Sequence, residues 1–238
     1  YGLTGAVALA QCRLPVVTTF HGSDTGYVPW QRGVGRFVAR RTTPIFVSQA
    51  NQRSLGIPGA VIPAGVSIDR FRIGSRGEAQ ARLGWAPGTY ALFPGSLANR
   101  RKRPDLFAAA VGEAAARLAH LRPVYLEGLS REDVVHAMNA SSVLVMTSDW
   151  EGSPVAVKEA LACGTPVVSV DVGDVSDVIG GLPGCATAPR RAEALAEAIV
   201  AAVETPVPRE VLRARACRFS SDAVAAALIE VYANVVVA

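Results

Sequence analysis

Short runs of β-branched and other apolar residues alternate along the chain with stretches that have helical spacing. Apolar runs without strict polar alternation are typical of strands that are covered on both faces of a parallel sheet. The predicted strands are Val16–Thr19, Ile45–Val47, Ala91–Phe93, Val124–Leu126, Val143–Met146 and Val167–Val170. The clearest predicted helices are Gly2–Gln11, Asp105–His120, Glu132–Ala140, Val155–Ala162, Ala192–Val203 and Asp222–Val236. This alternation predicts an α/β fold with parallel sheets and right-handed crossovers.

A stretch rich in proline, glycine and charge separates the second predicted strand from the third. It runs from Ile62 to Phe71 and continues as a polar, glycine-containing segment to Gly88, as is common at domain boundaries. We therefore expect a first domain over residues 1–72 and a second α/β domain over residues 73–220. The last helix, within residues 221–238, is expected to pack back toward the first domain. A single six-stranded sheet is the alternative.

The composition indicates a globular chain with enough apolar surface to bury a core. Hydrophobic residues make up 50% of the 238 positions and charged residues 18%, so the chain lacks the signature of disorder. The formal net charge is +4, and the basic residues are scattered except for the run Arg100–Arg103. This is too little for a nucleic-acid binder, and a local anion site explains the run better.

Cysteine spacing and the lengths of apolar runs bear on the compartment. Cys12, Cys163, Cys185 and Cys217 show no C-x-x-C spacing, which predicts neither a zinc site nor a disulfide framework. No run approaches the roughly 20 apolar residues that span a bilayer, and no signal peptide opens the chain. We therefore expect a cytoplasmic protein. Because the chain begins inside a predicted helix without a methionine, we also expect that upstream sequence is missing and that the first domain is incomplete.

The region from Val143 to Pro166 predicts a strand, a loop, a helix and the start of a new strand. Ser153 suits the N-cap of that helix and Pro154 its first position, and Gly164 suits its end. The helix then starts at the carboxyl end of a parallel strand, where open α/β sheets bind ligands. Its free N–H groups face that crevice, so a phosphate bound there would be stabilised.

Two glutamates bracket this helix start. Glu151 lies in the preceding loop and Glu159 lies on the helix itself. Apolar neighbours partly shield Glu159, so its carboxylate needs a polar partner, and a vicinal diol offers two hydroxyl donors. A ribose is the natural candidate. An acid on a solvated helix face and a second acid in a loop are the alternative interpretation.

Three motifs carry a resemblance to a known family. Glu151 and Glu159 stand in E-G-S-P-V-A-V-K-E-A-L-A-C-G-T-P-V-V, preceded by T-T-F-H-G-S-D at residues 18–24 and V-I-P-A-G-V-S-I-D-R-F at residues 61–71. This set resembles glycosyltransferase family four, the retaining transferases of the GT-B fold, over nearly the whole chain. The resemblance implies two Rossmann-like domains with parallel sheets, the N-terminal one on the acceptor side and incomplete, the C-terminal one binding a nucleotide-sugar donor.

The resemblance also implies roles for individual residues. Glu151 approaches hydroxyls of the donor sugar, Glu159 holds the nucleotide ribose, and His21 lies beside the transferred sugar, with Asp24 as a weaker candidate. The backbone around the helix start meets the sugar and the diphosphate, through Gly152, Ser153, Pro154 and Val155.

A second strand-to-helix loop runs from Gly95 to Pro104 and carries the basic run. Fixed cationic side chains stabilise the charge that develops on a diphosphate leaving group. By the resemblance, Lys102 matches the lysine of this loop, whereas Ser96 occupies the position of an expected arginine. Gly95, Ser96 and Arg101 are assigned to donor binding, with Arg100 as the alternative arginine. A solvated basic turn is the other interpretation.

The sequence shows no nucleophile with an adjacent base, so we favour same-face attack, in which the leaving diphosphate helps to remove the acceptor proton. His21, Glu151 and Lys102 are the candidate catalytic residues. No metal-ligand cluster is apparent near the two loops assigned to the diphosphate. We therefore expect no metal and no cofactor besides the nucleotide diphosphate sugar. The acceptor is expected to be a sugar, a lipid-linked molecule or a small molecule.

The segment Trp30–Arg41 places Arg32, Arg36 and Arg40 at helical spacing. It suits an interfacial helix at an anionic membrane surface, and an ordinary amphipathic helix with a basic exposed face is the alternative. Two further functions stay open, a nucleotide-sugar epimerase of the same architecture and a non-catalytic nucleotide-sugar binding fragment.

Overall fold

The computed structural model describes residues 2–22, 25, 29–205 and 207–237, and these residues contain two β-sheets. The first sheet has the order β1-β2-β3, with β1 (Val17–Phe20), β2 (Thr43–Phe46) and β3 (Ala60–Val61). The second has the order β5-β4-β6-β7-β8, with β4 (Thr89–Phe93), β5 (Leu121–Tyr125), β6 (Val143–Met146), β7 (Val167–Ser169) and β8 (Ala186–Thr187). All of these strand pairs are parallel. The predicted α/β class is therefore confirmed, and the alternative of one six-stranded sheet is wrong.

Helices connect the strands in chain order. They are α1 (Gly2–Leu9), α2 (Pro29–Ala39), α3 (Gln49–Leu55), α4 (Arg76–Arg82), α5 (Pro104–Ala115), α6 (Arg131–Ala140), α7 (Val155–Ala162), α8 (Val175–Ile179), α9 (Ala192–Glu204), α10 (Arg209–Cys217) and α11 (Ser221–Val237). A short 3-10 turn covers Arg100–Lys102. In the part of the chain that the structure describes, no helix has the length and apolarity needed to cross a membrane.

Each sheet has its own hydrophobic core. The core of the first sheet is small and centres on Phe20 and Phe46, whose rings stack with centroids 5.3 Å apart. The second sheet is covered on both faces, and β6 is buried at every position. This complete burial is why its sequence is a continuous apolar run rather than an alternating one.

The chain crosses between the two sheets at two adjacent places. The Val66 N–H donates to the Phe219 carbonyl at 2.8 Å, and the Ser221 N–H donates to the Val66 carbonyl at 3.0 Å. After this crossing α11 runs beside the first sheet, where Val231 and Val235 help to line a cavity of about 480 Å³ that also contacts Thr43. The division into an acceptor domain and a donor domain stays a prediction.

The strand order of the second sheet places a crevice between β4 and β6. The chain leaves β4 for β5 on one side and then returns past β4 to β6 on the other. In open parallel sheets, ligands bind outside the carboxyl ends of the strands at such a switch point. Two loops meet there, one after Phe93 and one after Met146.

Candidate active site

The Glu151 carboxylate is the point at which the two loops of the crevice meet. Its Oε1 accepts hydrogen bonds from Lys102 Nζ at 2.6 Å and Ser148 Oγ at 2.8 Å. A guanidinium nitrogen of Arg101 lies 3.3 Å from the same oxygen. The Lys102 and Glu151 side chains are only 16% and 11% exposed, so water screens this ion pair less than it would a surface pair. The structure thus brings together three residues that the sequence assigned to one site.

Backbone contacts hold the basic loop against the loop that follows β6. The Asp149 N–H donates to the Arg101 carbonyl at 2.8 Å, and the Thr147 hydroxyl donates to the Lys102 carbonyl at 2.8 Å. The Arg101 guanidinium donates to the Trp150 carbonyl at 2.7 Å and lies 4.3 Å from the centre of its ring. Lys102 and Arg101 are therefore positioned before any ligand binds.

Ser96 carries no positive charge, so it does not replace the arginine that the resemblance places at its position. Its hydroxyl donates to Glu127 Oε1 at 2.5 Å, and the Leu97 N–H donates to Oε2 at 3.2 Å. The Ser96 bond and then the Leu97 bond lower the pKa of Glu127. Ser96 thus anchors this loop to the one after β5. Gly95 lies close to the Lys102 side chain, because a β-carbon at Gly95 would lie 3.2 Å from Lys102 Cγ.

The start of α7 differs from the prediction. The helix begins at Val155, and its N-cap is Pro154 in an extended conformation, without a side-chain capping bond. Ser153 is therefore not the N-cap, because its hydroxyl is used elsewhere. Its Oγ accepts from Lys158 Nζ at 2.5 Å and from the Ala64 N–H at 3.0 Å, and it donates to Asp174 Oδ2 at 2.6 Å. The first backbone N–H groups of α7 have no partner within the helix, as at any helix start.

A buried ion pair contacts Ser153, just before the start of α7. Lys158 is fully buried and Asp174 is 4% exposed, with Nζ and Oδ2 2.8 Å apart. Burial lowers the pKa of Lys158, and the charge of Asp174 opposes that shift. Sequence reasoning missed the pair, because a lysine in an amphipathic helix gives no sign that it points inward.

Gly152 lies in direct contact with the loop that follows β1. A β-carbon on Gly152 would overlap the His21 carbonyl oxygen, and one on Gly22 would lie 3.2 Å from the Gly152 Cα. Gly173 closes the other side, since a β-carbon there would lie 2.6 Å from the Gly152 carbonyl oxygen. The exposed residue His21 therefore stands next to the Glu151 loop. Asp24 lies outside the described residues.

Glu159 is half-buried on α7. Burial raises its pKa, and the charges of Arg131 and then Arg70 act in the opposite direction; Cys163, one turn along the helix, is the other titratable group that interacts with it. Among the described residues, the carboxylate has no hydrogen bond or ion pair with another side chain. A shielded carboxylate in this state is suited to accept hydrogen bonds from a ligand. Within the described ranges, no group of three or more His, Cys, Asp or Glu side chains is arranged to hold a metal ion.

Sequence comparison adds independent information on this architecture. The family described as Glycosyl transferases group 1 matches residues 98–218, about half of the chain. The chain is 26% identical to TuaC of Bacillus subtilis, by name a teichuronic acid biosynthesis glycosyltransferase, over 83% of this chain and 57% of that protein. It is 30% identical to the D-inositol 3-phosphate glycosyltransferase of Actinosynnema mirum, over 72% of this chain and 51% of that protein. The chain thus spans a little more than half the length of these curated relatives.

Solved structures show the same fold. The sucrose-phosphate synthase of Thermosynechococcus elongatus superposes with a TM-score of 0.79 at 20% identity, covering 98% of this chain and 72% of that one. Anabaena Alr3699/HepE in complex with UDP-glucose superposes with a TM-score of 0.76 at 18% identity, covering 98% of this chain and 76% of that one. These likenesses confirm the GT-B type of architecture.

The contact between Gly152 and His21 predicts the effect of a single methyl group. Gly152→Ala is expected to force the two loops apart and to lower the free energy of unfolding by about 1 to 3 kcal/mol, the usual cost of overpacking. Gly112→Ala is the matched control, because a β-carbon at Gly112 in α5 meets no atom within 4 Å. That control should raise stability by roughly 0.5 to 1 kcal/mol, as expected for glycine in a helix interior. Urea unfolding measures both, and a wild-type midpoint for Gly152→Ala would contradict the contact.

Proposed function

The chain belongs to the glycosyl transferases group 1 family, and we propose that it binds a nucleoside diphosphate sugar and transfers the sugar with retention of anomeric configuration. The observation that carries this proposal is the meeting of Lys102, Arg101 and Glu151 in the crevice between β4 and β6. The HepE complex with UDP-glucose supports a nucleotide sugar as the co-substrate. The relatives give no support to the epimerase alternative.

The proposed assignment follows the charges along the crevice. The diphosphate lies against Lys102 and Arg101 and the N–H groups at the start of α7. Glu159 accepts hydrogen bonds from the ribose hydroxyls, because its carboxylate is shielded and has no hydrogen bond or ion pair with a side chain of the described residues. Glu151 and His21 face the transferred sugar. In this arrangement the phosphate oxygens compete with Glu151 for Lys102, so binding would release Glu151 toward the sugar hydroxyls.

The proposed reaction breaks the bond between the anomeric carbon and the leaving phosphate oxygen. The acceptor hydroxyl oxygen forms the new bond on the same face, and its proton passes to the leaving diphosphate. Lys102 and the helix start stabilise the charge that develops on that group, which is the part of the reaction that a fixed electrostatic environment favours most. We propose that these groups act without a metal ion and without a further cofactor. The acceptor is a sugar, a lipid-linked molecule or a small molecule.

We also propose that helix α2 contacts an anionic membrane surface. The first 68 residues contain six arginines and one acidic residue. On α2, Trp30 is 55% and Phe37 49% exposed, and Arg36 and Arg40 are exposed beside them. Arg32 is partly engaged, since it donates to the Ser54 carbonyl at 2.6 Å. Exposed aromatic rings beside exposed arginines suit a headgroup region.

Vesicle sedimentation tests the membrane proposal. We expect binding to phosphatidylcholine vesicles that contain phosphatidylglycerol, falling steeply at high salt, and no binding to phosphatidylcholine alone. The double change Trp30→Ser with Phe37→Ser should weaken binding about tenfold or more, because two apolar anchors are lost. Ile229→Ser with Tyr232→Ser on α11 is the matched control, since these side chains are also exposed. Equal losses in both pairs would contradict the assignment to α2.

Glu159→Ala tests the ribose assignment. We expect nucleotide-sugar affinity to fall by about 1 to 3 kcal/mol, the usual effect of removing a charged hydrogen-bond partner. Because burial raises the folded-state pKa of Glu159, its ionisation disfavours the fold above that pKa, so the change should not lower stability at neutral pH through charge. Wild-type affinity should also decline with falling pH sooner than for an ordinary glutamate. Titration calorimetry measures this, with Glu113→Ala on the exposed face of α5 as control; unchanged affinity in Glu159→Ala would remove the assignment.

Lys102→Ala tests the diphosphate assignment. Affinity for a nucleoside diphosphate should fall at least tenfold while affinity for the nucleoside changes little, and turnover of the nucleotide sugar should fall further. Arg101→Ala should show a smaller form of the same defect, and Arg117→Ala should match wild type.

All assays are run with and without chelator. Loss of activity in chelator that magnesium restores would contradict the metal-free mechanism, and a normal Lys102→Ala would contradict the position of the phosphates.

A further inference from the structure

A second cavity, whose lining is distinct from the proposed active-site residues, lies between the loop that precedes α4, the helix α4 itself and α6. Its volume is about 740 Å³, within the range of small-molecule sites. The basic residues on its wall are Arg70, Arg72, Arg82, Arg131 and His136, and the acidic ones are Glu78 and Glu132. Gly95, Lys102, Glu151 and Glu159 do not line it, so it is a separate site.

The charges on this wall do not cancel. Arg82 and Glu132 pair with each other at 2.7 Å, and His136 lies 4.0 Å from the same carboxylate. The guanidinium groups of Arg70, Arg72 and Arg131 have no ion pair or side-chain hydrogen bond with any residue that the structure describes. On the wall as the structure describes it, three guanidinium groups therefore stand against one acid outside the Arg82–Glu132 pair, Glu78, and outside the wall the charges of Arg70 and Arg131 act on Glu159.

The backbone that carries two of these arginines is held rigidly. Asn139, 4% exposed, accepts from the Gly74 N–H at 2.7 Å and donates to the Arg72 carbonyl at 3.1 Å. Arg209 donates to the same Asn139 oxygen at 2.7 Å and to the Gly74 carbonyl at 2.6 Å. Because the loop is anchored on both sides, little backbone order has to be gained when a ligand binds.

From this arrangement we propose that the cavity between α4 and α6 binds a phosphate-bearing small molecule through Arg70, Arg72 and Arg131. Guanidinium groups form bidentate hydrogen bonds with phosphate oxygens, and the apolar wall formed by Ile73 and Val135 suits the uncharged part of such a ligand. The charges of Arg70 and Arg131 also reach Glu159. The cavity therefore borders the nucleoside end of the active site, a relation that rests on the proposed function, whereas anion binding itself does not.

Inorganic pyrophosphate is the probe, measured by titration calorimetry on the whole chain at constant ionic strength. We expect the double change Arg70→Ala with Arg131→Ala to weaken binding at least tenfold. The charge-conserving pair Arg70→Lys with Arg131→Lys should keep most of the affinity, and Arg117→Ala should keep all of it. Circular dichroism confirms that each variant is folded, as expected for exposed side chains.

Lys102→Ala separates this site from the proposed diphosphate site. Pyrophosphate binding that survives Lys102→Ala and is lost in the arginine pair supports the inference. Binding that is lost only in Lys102→Ala overturns it and leaves the proposed function standing. No binding, or an equal loss in Arg117→Ala, also overturns it. If pyrophosphate binds at the arginines while no nucleotide sugar binds anywhere, the proposed function fails and the anion site stands.

Discussion

The contact of Gly152 with the His21 carbonyl is the constraint on which the arrangement of the crevice depends. Only a residue without a side chain allows the loop after β6 to lie against the first sheet. That loop carries Glu151, whose carboxylate is the shared partner of Lys102 and Arg101. The close packing at Gly152 therefore also fixes where the charged side chains of the crevice lie, because closely packed backbones leave few alternative positions for the side chains beside them.

The fold was largely predictable because the second sheet is buried on both faces. β6 and α7 have the predicted bounds, since a buried strand and a helix between clear signals leave strong patterns. The sequence pattern did not reveal β3 and β8, which have two residues each, too few for any periodicity. It placed β5 too late because this edge strand exposes Arg122 and Pro123, and only an edge tolerates such residues.

The sequence could predict site residues whose role follows from their position along the chain. It could not predict contacts between side chains that only the three-dimensional fold brings together. Strand-to-helix loops at a sheet's carboxyl edge converge by topology, so Lys102 and Glu151 could be expected to meet. The bond between Ser96 and Glu127 joins loops 31 residues apart and has no sequence signal. Ser153 was misassigned as a cap, because its local pattern fits a cap while its hydroxyl is used by Lys158 and Asp174.

The hydroxyl of Ser153 joins parts of the molecule that are distant in sequence. It bonds to a buried cation, a buried carboxylate and the main chain at Ala64, which lies just before the crossing between the sheets. Replacing Lys158 alone would leave the carboxylate of Asp174 buried without a counter-charge, and the converse replacement would strand the lysine. A change at any one of positions 153, 158 and 174 therefore alters the surroundings of the other two. Together these three side chains link the loop that carries Glu151 to the segment just before the crossing between the two sheets.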